Sequence, residues 1–223
     1  MILLGDEFPN FEAETTEGSI KFHEFLNESW GILFSHPADF TPVCTTELAR
    51  LIKLHPEFAK RNVKIIALSC DSVENHKKWF EDIKKYAQCK AEDVFPYPII
   101  ADEQRKLAVQ LSMLDPNEKD SAGLPLTARA VFIVDQNKKL RLSILYPATT
   151  GRNFDEILRV VDSLQITDKF QIATPADWKQ GDNVMVQPSV PMEEAQVLFP
   201  MMSEMALPSG LKYLRQTPQP KIN

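Results

Sequence analysis

Apolar and polar positions fall into short blocks along the chain, and most blocks predict one element each. WGILFS, Trp30 to Ser35, and VKIIALS, Val63 to Ser69, are near-continuous apolar runs, the pattern of strands buried on both faces. YPIIAD predicts a further short strand. RAVFIVD and KLRLSILYP predict two more, joined by the polar turn in DQNKK. Between them the spacing changes to the helical one. TTELARLIKLHPEFAKRN places Leu48, Leu51, Ile52, Leu54 and Phe58 on one stripe, with Pro56 expected to kink or break the helix. SVENHKKWFEDIKKYA carries Val73, Trp79, Phe80 and Ile83 on a charged helix. EQRKLAVQLSM carries Leu107, Val109, Leu111 and Met113. FDEILRVVDSLQ turns Ile157, Leu158, Val161 and Leu164 inward, and FHEFL reads as one helical turn in an ordered N-terminal lead.

The order strand, helix, strand, helix, strand, helix, hairpin, helix predicts a mixed sheet flanked by helices, a compact α/β fold. After Phe170 the texture changes. Seven of the sixteen prolines lie there, beside apolar positions such as Val184, Met185, Val186, Val197, Leu198 and Phe199. The expected organisation is a main domain over 1–169 and a smaller C-terminal extension over 170–223, packed on the body or on a partner subunit.

Composition narrows the function. With 223 residues, 43% apolar, 25% charged and a net charge of -6, the chain reads as an ordinary globular protein and argues against a general nucleic-acid or anionic-membrane binder. No apolar run approaches membrane-spanning length, so no stable membrane insertion is expected. The opening MILLGDEFPNF lacks a basic start and a sustained apolar segment, so no secretory signal is expected and a cytoplasmic location is. None of the seven glycines forms a phosphate-cradling loop. Cys44, Cys70 and Cys89 are odd in number, widely spaced and without a CxxC, and no cysteine and histidine form a short-spaced ligand pair. No metal and no organic cofactor are expected. What remains is the chemistry of a single thiol.

Cys44 is the thiol in a telling place. In HPADFTPVCTTEL, Thr41 suits an N-cap and Pro42 the first helical position, which puts Cys44 at the third. Its sulfur would face unpaired backbone N–H groups and the positive helix end, both of which favour thiolate. Thr41 is close enough through the turn to touch the sulfur or a reactant, and Pro37 and Pro42 stiffen the approach. A thiolate needs a cation, and Arg50, Arg61, Arg105, Arg129, Arg141 and Arg152 are available. Arg129 stands out because it opens a strand. Cys70 reads as core or core-edge packing, and Cys89 as more exposed.

PADFTPVC, Pro37 to Cys44, resembles the peroxiredoxin signature, and HPADFTPVCTTEL, IALSCDSVENH, YPIIAD, LTARAVFIVD, LSILYPATTGRNFDEILRVVDSLQ and ATPADWKQGD extend the likeness over essentially the whole chain. The similarity is to the one-cysteine, peroxiredoxin-6-like subgroup. It implies a thioredoxin-like fold with a C-terminal extension, a homodimer, and a thiol peroxidase acting on hydrogen peroxide and organic or lipid hydroperoxides. Residue by residue, it implies Cys44 as the peroxidatic nucleophile, Thr41 as a hydrogen-bonding partner of sulfur and peroxide, Pro37 as a shield over the sulfenate, Arg129 as the stabilising guanidinium and His36 as a pocket residue. No cysteine follows Cys89, so the tail holds no resolving thiol. The resemblance therefore implies an external reductant, with glutathione and a glutathione transferase as the leading candidate.

The same resemblance brings a second site, a phospholipase A2-like set at Ser29 and His23. Two departures count against it. Asn27 replaces a glycine of the GxSxG-like segment, and Asn137 stands where an acidic third member is required. An asparagine cannot supply the charge that stabilises imidazolium. A different class of function, redox-regulated binding or chaperone-like activity switched by Cys44 oxidation, is the alternative to catalysis.

Overall fold

The computed structural model describes residues 2–90 and 92–221. Along the chain run β1 (Glu12–Thr15), β2 (Gly18–Lys21), α1 (Phe22–Leu26), β3 (Trp30–Ser35), α2 (Pro42–Lys60), β4 (Val63–Ser69), α3 (Val73–Ala87), β5 (Ile99–Ala101), α4 (Lys106–Gln110), β6 (Leu114–Lys119), β7 (Pro125–Thr127), β8 (Arg129–Val134) and β9 (Leu140–Tyr146). They are followed by α5 (Phe154–Lys169), β10 (Ile172–Ala173), β11 (Val184–Val186), α6 (Met192–Leu198), β12 (Ser203–Glu204) and β13 (Arg215–Thr217). None of the described helices is long and apolar enough to cross a membrane.

The chain divides into two compact units, Met1–Phe154 and Asp155–Asn223. The division falls at the start of α5, whereas the change in composition falls at its end.

The first unit is built on a seven-stranded sheet in the order β2-β1-β5-β4-β3-β8-β9. Its centre is parallel, with β3 and β5 on either side of β4, while β8 and β9 return antiparallel as the expected hairpin. This is the mixed α/β architecture that the residue pattern predicts, and β3 and β8 are buried at every position. The lead is not mere cover. Phe8 and Phe22, both fully buried, meet at 5.3 Å between ring centroids, and Phe11 stacks on Phe22 at 4.8 Å. These rings join Leu26, Leu33, Ile66, Leu68 and Phe132 in one apolar cluster. A Cβ at Gly31 would run into the buried Leu26 side chain, so a larger residue at this point of β3 would force Leu26 to shift.

Helix α2 packs against β4 and α3 and buries Leu48, Leu51, Leu54 and Phe58. It runs through Pro56 to Lys60, so the expected break does not occur. Burial of that face on both sides of the proline outweighs one lost backbone hydrogen bond. In α3 the buried stripe is His76, Trp79, Ile83 and Ala87, while Phe80 lies half-buried and stacks on Phe95. Trp79 and Ile83 are buried as expected, whereas His76 and Ala87 complete the stripe in place of Val73 and Phe80. Helix α4 is shorter than its apolar pattern predicts. Asp102 accepts the backbone N–H groups of Leu107 and Ala108, Arg105 enters with φ 56, and Ser112 ends the segment with φ 54. The hairpins β1–β2 and β6–β7 were not predicted, being short and largely polar.

The second unit has its own small sheet, β10-β11-β13-β12. Ile166, Ile172, Trp178, Val184, Val186, Val190, Ala195 and Phe199 make its core. Of the apolar tail positions noted above, Val184, Val186 and Phe199 are therefore core, whereas Val197 is 78% exposed.

Candidate active site

Strand β3 delivers the chain to Ser35, and the loop His36 to Thr41 turns it into α2. Thr41 is extended (φ -113, ψ 148) as an N-cap should be, Pro42 takes the first helical position and Cys44 the third. One detail differs from the expectation. The Thr41 hydroxyl makes no cap bond and instead donates to the Ala38 carbonyl at 2.8 Å. It tightens the loop rather than touching the sulfur. Phe40, immediately before it, is held at φ 53, a strained backbone for an aromatic residue, with its side chain half-exposed. Cys44 is fully buried, and Pro37 beside the loop start is buried as well.

Arg129, at the first position of β8, reaches the sulfur. Its Nη1 donates to Cys44 Sγ at 3.3 Å and to Glu47 Oε2 at 2.8 Å, while Nε and Nη2 both hold the Ala148 carbonyl. Sequence reasoning missed Glu47. It lies one turn beyond Cys44 on the inner face of α2, only 3% exposed, where a lone acid among leucines was the available signal. Arg152 binds the same carboxylate. Its backbone N–H and Nε donate to Oε1 at 2.8 and 3.0 Å, and Nη2 donates to Oε2 at 2.7 Å. Burial opposes ionisation of Glu47, but the charge and hydrogen bonds of Arg152, with Arg129 behind them, outweigh it and hold the carboxyl below its ordinary value. Two guanidiniums therefore face one carboxylate, leaving one positive charge beside the sulfur.

On the other side of the loop His36, fully buried, places Nε2 2.9 Å from Asp39 Oδ1. The Thr127 hydroxyl holds the His36 carbonyl at 2.6 Å. Asp39 also meets His76 of α3, a residue the sequence did not single out. Trp79, one turn along α3, packs on the His36 ring at 5.4 Å and donates to the Thr45 hydroxyl at 3.3 Å.

The remaining candidates lie elsewhere. Arg50 is exposed, Arg105 pairs with Asp120 and Arg141 with Asp135. Ser29 donates to Asn62 Oδ1 at 2.9 Å, whereas His23 Nε2 meets the Phe8 carbonyl at 2.6 Å. His23 Nε2 thus donates to a carbonyl, and the Ser29 hydroxyl is bonded to Asn62 rather than to His23. Cys70 and Cys89 are partly buried, and all three cysteines are free. No cluster of three or more metal-ligating side chains occurs among the described residues. A groove of about 820 Å³ along β1, β5 and α4 contains no residue of the thiol site.

Comparison with known proteins fits this geometry. The AhpC/TSA family model matches residues 4–143, and the model of the C-terminal domain of 1-Cys peroxiredoxin matches residues 163–198. Peroxiredoxin-6 of Gallus gallus is 66% identical over 221 residues, 99% of each chain. A crystal structure of a cysteine-to-serine mutant of peroxiredoxin 6 of Arenicola marina is 62% identical, covers 100% of both chains and superposes with a TM-score of 0.97. A yeast mitochondrial 1-Cys peroxiredoxin, with a thiol resolving mechanism via glutathione/thioredoxin systems, is 45% identical with a TM-score of 0.87, covering 98% of this chain and 100% of its own.

Proposed function

Since the chain belongs to the AhpC/TSA family in its 1-Cys peroxiredoxin branch, and is a thiol-dependent peroxidase of thioredoxin-like fold, we propose that Cys44 is its peroxidatic nucleophile. The observation that carries this is the single Arg129 Nη1 lying 3.3 Å from Sγ and 2.8 Å from Glu47 Oε2. A guanidinium fixed by a carboxylate and by the Ala148 carbonyl is preorganised for negative charge on sulfur.

The thiolate attacks one peroxide oxygen. A sulfur–oxygen bond forms as the oxygen–oxygen bond breaks, and the departing hydroxide or alkoxide takes a proton to leave as water or alcohol. Cys44 is oxidised by two electrons to sulfenic acid, and the peroxide is reduced by two. Thr41 is assigned a second position for its hydroxyl, from the Ala38 carbonyl to the peroxide oxygen. Pro37 shields the sulfenate and His36 lines the pocket. An external thiol then displaces water from the sulfenic acid to give a mixed disulfide, and a second thiol restores the Cys44 thiolate. Thiol reductants follow from the family. Glutathione supplied with a glutathione transferase is the specific donor assigned here, in keeping with the glutathione/thioredoxin resolution of the yeast relative.

We assign peroxide chemistry to a peroxidase domain over 1–169 and a contribution to a homodimer to the extension over 170–223. Strand β9 supports the dimer: it is the sheet's edge, and its Leu145 is 58% exposed. Three free cysteines support the cytoplasm as the compartment, where thiols stay reduced.

The test is oxidation of reduced protein by sub-stoichiometric hydrogen peroxide in stopped flow, with intact mass as a second readout. Oxidation at about 10⁵ M⁻¹ s⁻¹ or faster, gaining one oxygen atom and lost in Cys44→Ser, is the expected result. A rate of only a few M⁻¹ s⁻¹, about three orders of magnitude or more below ordinary enzyme efficiencies, overturns the assignment.

A further inference from the structure

His36, Asp39 and His76 form a cluster whose side chains are wholly removed from solvent, and its hydrogen bonds dictate where the protons sit. His76 Nε2 lies 3.2 Å from the Ile100 carbonyl. A carbonyl only accepts, so that nitrogen carries hydrogen. His76 Nδ1 lies 2.6 Å from Asp39 Oδ2. An ionised carboxylate also only accepts, so this nitrogen carries hydrogen too, and His76 is then a cation. The one other arrangement puts the proton on Asp39 Oδ2 and leaves His76 neutral.

Two observations favour the ionised form. Both Asp39 oxygens face a ring nitrogen, at 2.9 Å from His36 and 2.6 Å from His76. Burial works against ionised Asp39, but the hydrogen bonds and charge of the two histidines outweigh it, and its carboxyl stays below its ordinary value. With Asp39 accepting from His36 Nε2, the remaining His36 nitrogen, Nδ1, is buried without a hydrogen-bond partner among the described residues.

We propose that Asp39 and His76 form a buried carboxylate–imidazolium pair and act as positioning residues for the peroxidatic loop. Together they fix His36 with Nε2 protonated and Nδ1 as the uncommitted proton position of the cluster. The pair ties the loop to α3 and, through the Ile100 carbonyl, to β5. Trp79 ties the same helix to the first turn of α2, since its Nε1 donates to the Thr45 hydroxyl, which in turn holds the Thr41 carbonyl at 2.8 Å. A buried pair is weak evidence for stability, because desolvation offsets most of its attraction, and specifying one loop geometry is the role left to it. The role as a positioning device rests on the assignment of Cys44. The protonation state does not.

The test uses the full reduced chain. Long-range proton–nitrogen correlation spectra at neutral pH should show both His76 ring nitrogens protonated and His36 protonated at Nε2 alone. In Asp39→Asn the amide can donate to His76 Nδ1, so His76 should become a neutral tautomer. His76→Leu strands Asp39 as a buried anion and should lower the oxidation rate by roughly tenfold to a hundredfold, in line with the cost of misplacing a reacting group. Adding Asp39→Asn to His76→Leu removes the stranded charge but not the missing tie, so the rate should stay low; full recovery would assign the loss to the stranded charge and overturn the positioning role. A neutral His76 in the unmodified chain overturns the ion pair, whether or not any variant folds. An unchanged rate in a folded His76→Leu overturns the positioning role, while loss of oxidation in Cys44→Ser would show that the site assignment itself still stands.

Discussion

Cys44 and Cys70 both stand at the boundary of an element with an arginine in electrostatic reach, and the charges around them differ. Cys70 follows β4 and packs against the apolar cluster of the first unit. Burial raises its pKa to about 11, Arg105 works the other way, and Asp102, Asp71 and Asp120 oppose that arginine. The Arg105 guanidinium is in any case spent on Asp120 and on the Pro125 carbonyl. One positive group faces three negative ones, and the thiol stays protonated. At Cys44 two guanidiniums face one carboxylate, and one of them donates to the sulfur itself. An arginine within reach of a thiol is therefore not enough. What decides is the balance of charges held in the same dry volume, because fields there are little screened.

The largest effect should come from reversing that balance. Arg129→Gln is expected to slow peroxide oxidation of Cys44 by roughly 10²- to 10³-fold, the usual cost of removing a preorganised charge-stabilising donor. Arg129→Lys should recover only part of this, since an ammonium cannot reach Sγ, Glu47 and the Ala148 carbonyl together. A rate unchanged in the glutamine variant, measured by stopped flow, would break the comparison outright.

Glu47→Gln should show next most strongly, and in stability. It leaves Arg129 and Arg152 buried against a neutral amide, and breaking such a pair costs about 3–5 kcal/mol. Urea unfolding would read it directly. Acidification should act in the same sense. Glu47 is held below its ordinary 4.5 and Asp39 below its ordinary 3.8, so both contributions are complete above those values. They disappear as pH falls through the lower folded values. The unfolding midpoint should decline steeply only below about pH 4.5, and less so in Glu47→Gln.

Cys70 sharpens the contrast from the quiet side. Cys70→Ala should leave the oxidation rate within about twofold, as volume changes remote from the reacting atoms do when the fold is kept. Its alkylation by iodoacetamide should still be rising between about pH 8 and pH 10, since only the thiolate reacts. Rapid labelling at neutral pH would mean that the three carboxylates do not outweigh Arg105. The smallest effect is expected from Ser29→Ala, which should change neither peroxide reduction nor phospholipid ester hydrolysis. A phospholipase activity lost in that variant would require the Ser29 hydroxyl to exchange Asn62 for His23.

Much of this was open to reading from the order of residues alone. Val63 to Ser69 is a strand, Phe154 to Gln165 lies in a helix, and Thr41, Pro42 and Cys44 take the first positions of α2, because each of these follows from what a turn or two of backbone can satisfy. The signature around Cys44 named the family for the same reason: its residues are neighbours in sequence. The polar hairpins β1–β2 and β6–β7 escaped, as did the passage of α2 through Pro56, since their local preferences are overruled by packing. Arg129 was singled out for Cys44, but the pairings of the buried carboxylates escaped more completely. Arg129 and Arg152 meet Glu47 across 82 and 105 residues, and Asp39 meets His76 across 37. A buried ion selects whichever counter-ion the topology brings within about 3 Å, because leaving it unpaired is too unfavourable. Sequence spacing carries no trace of that choice. The chain determined by itself where Cys44 stands and that Arg129 was a cation to set beside it; only the tertiary structure decided which carboxylate and which second guanidinium complete the set.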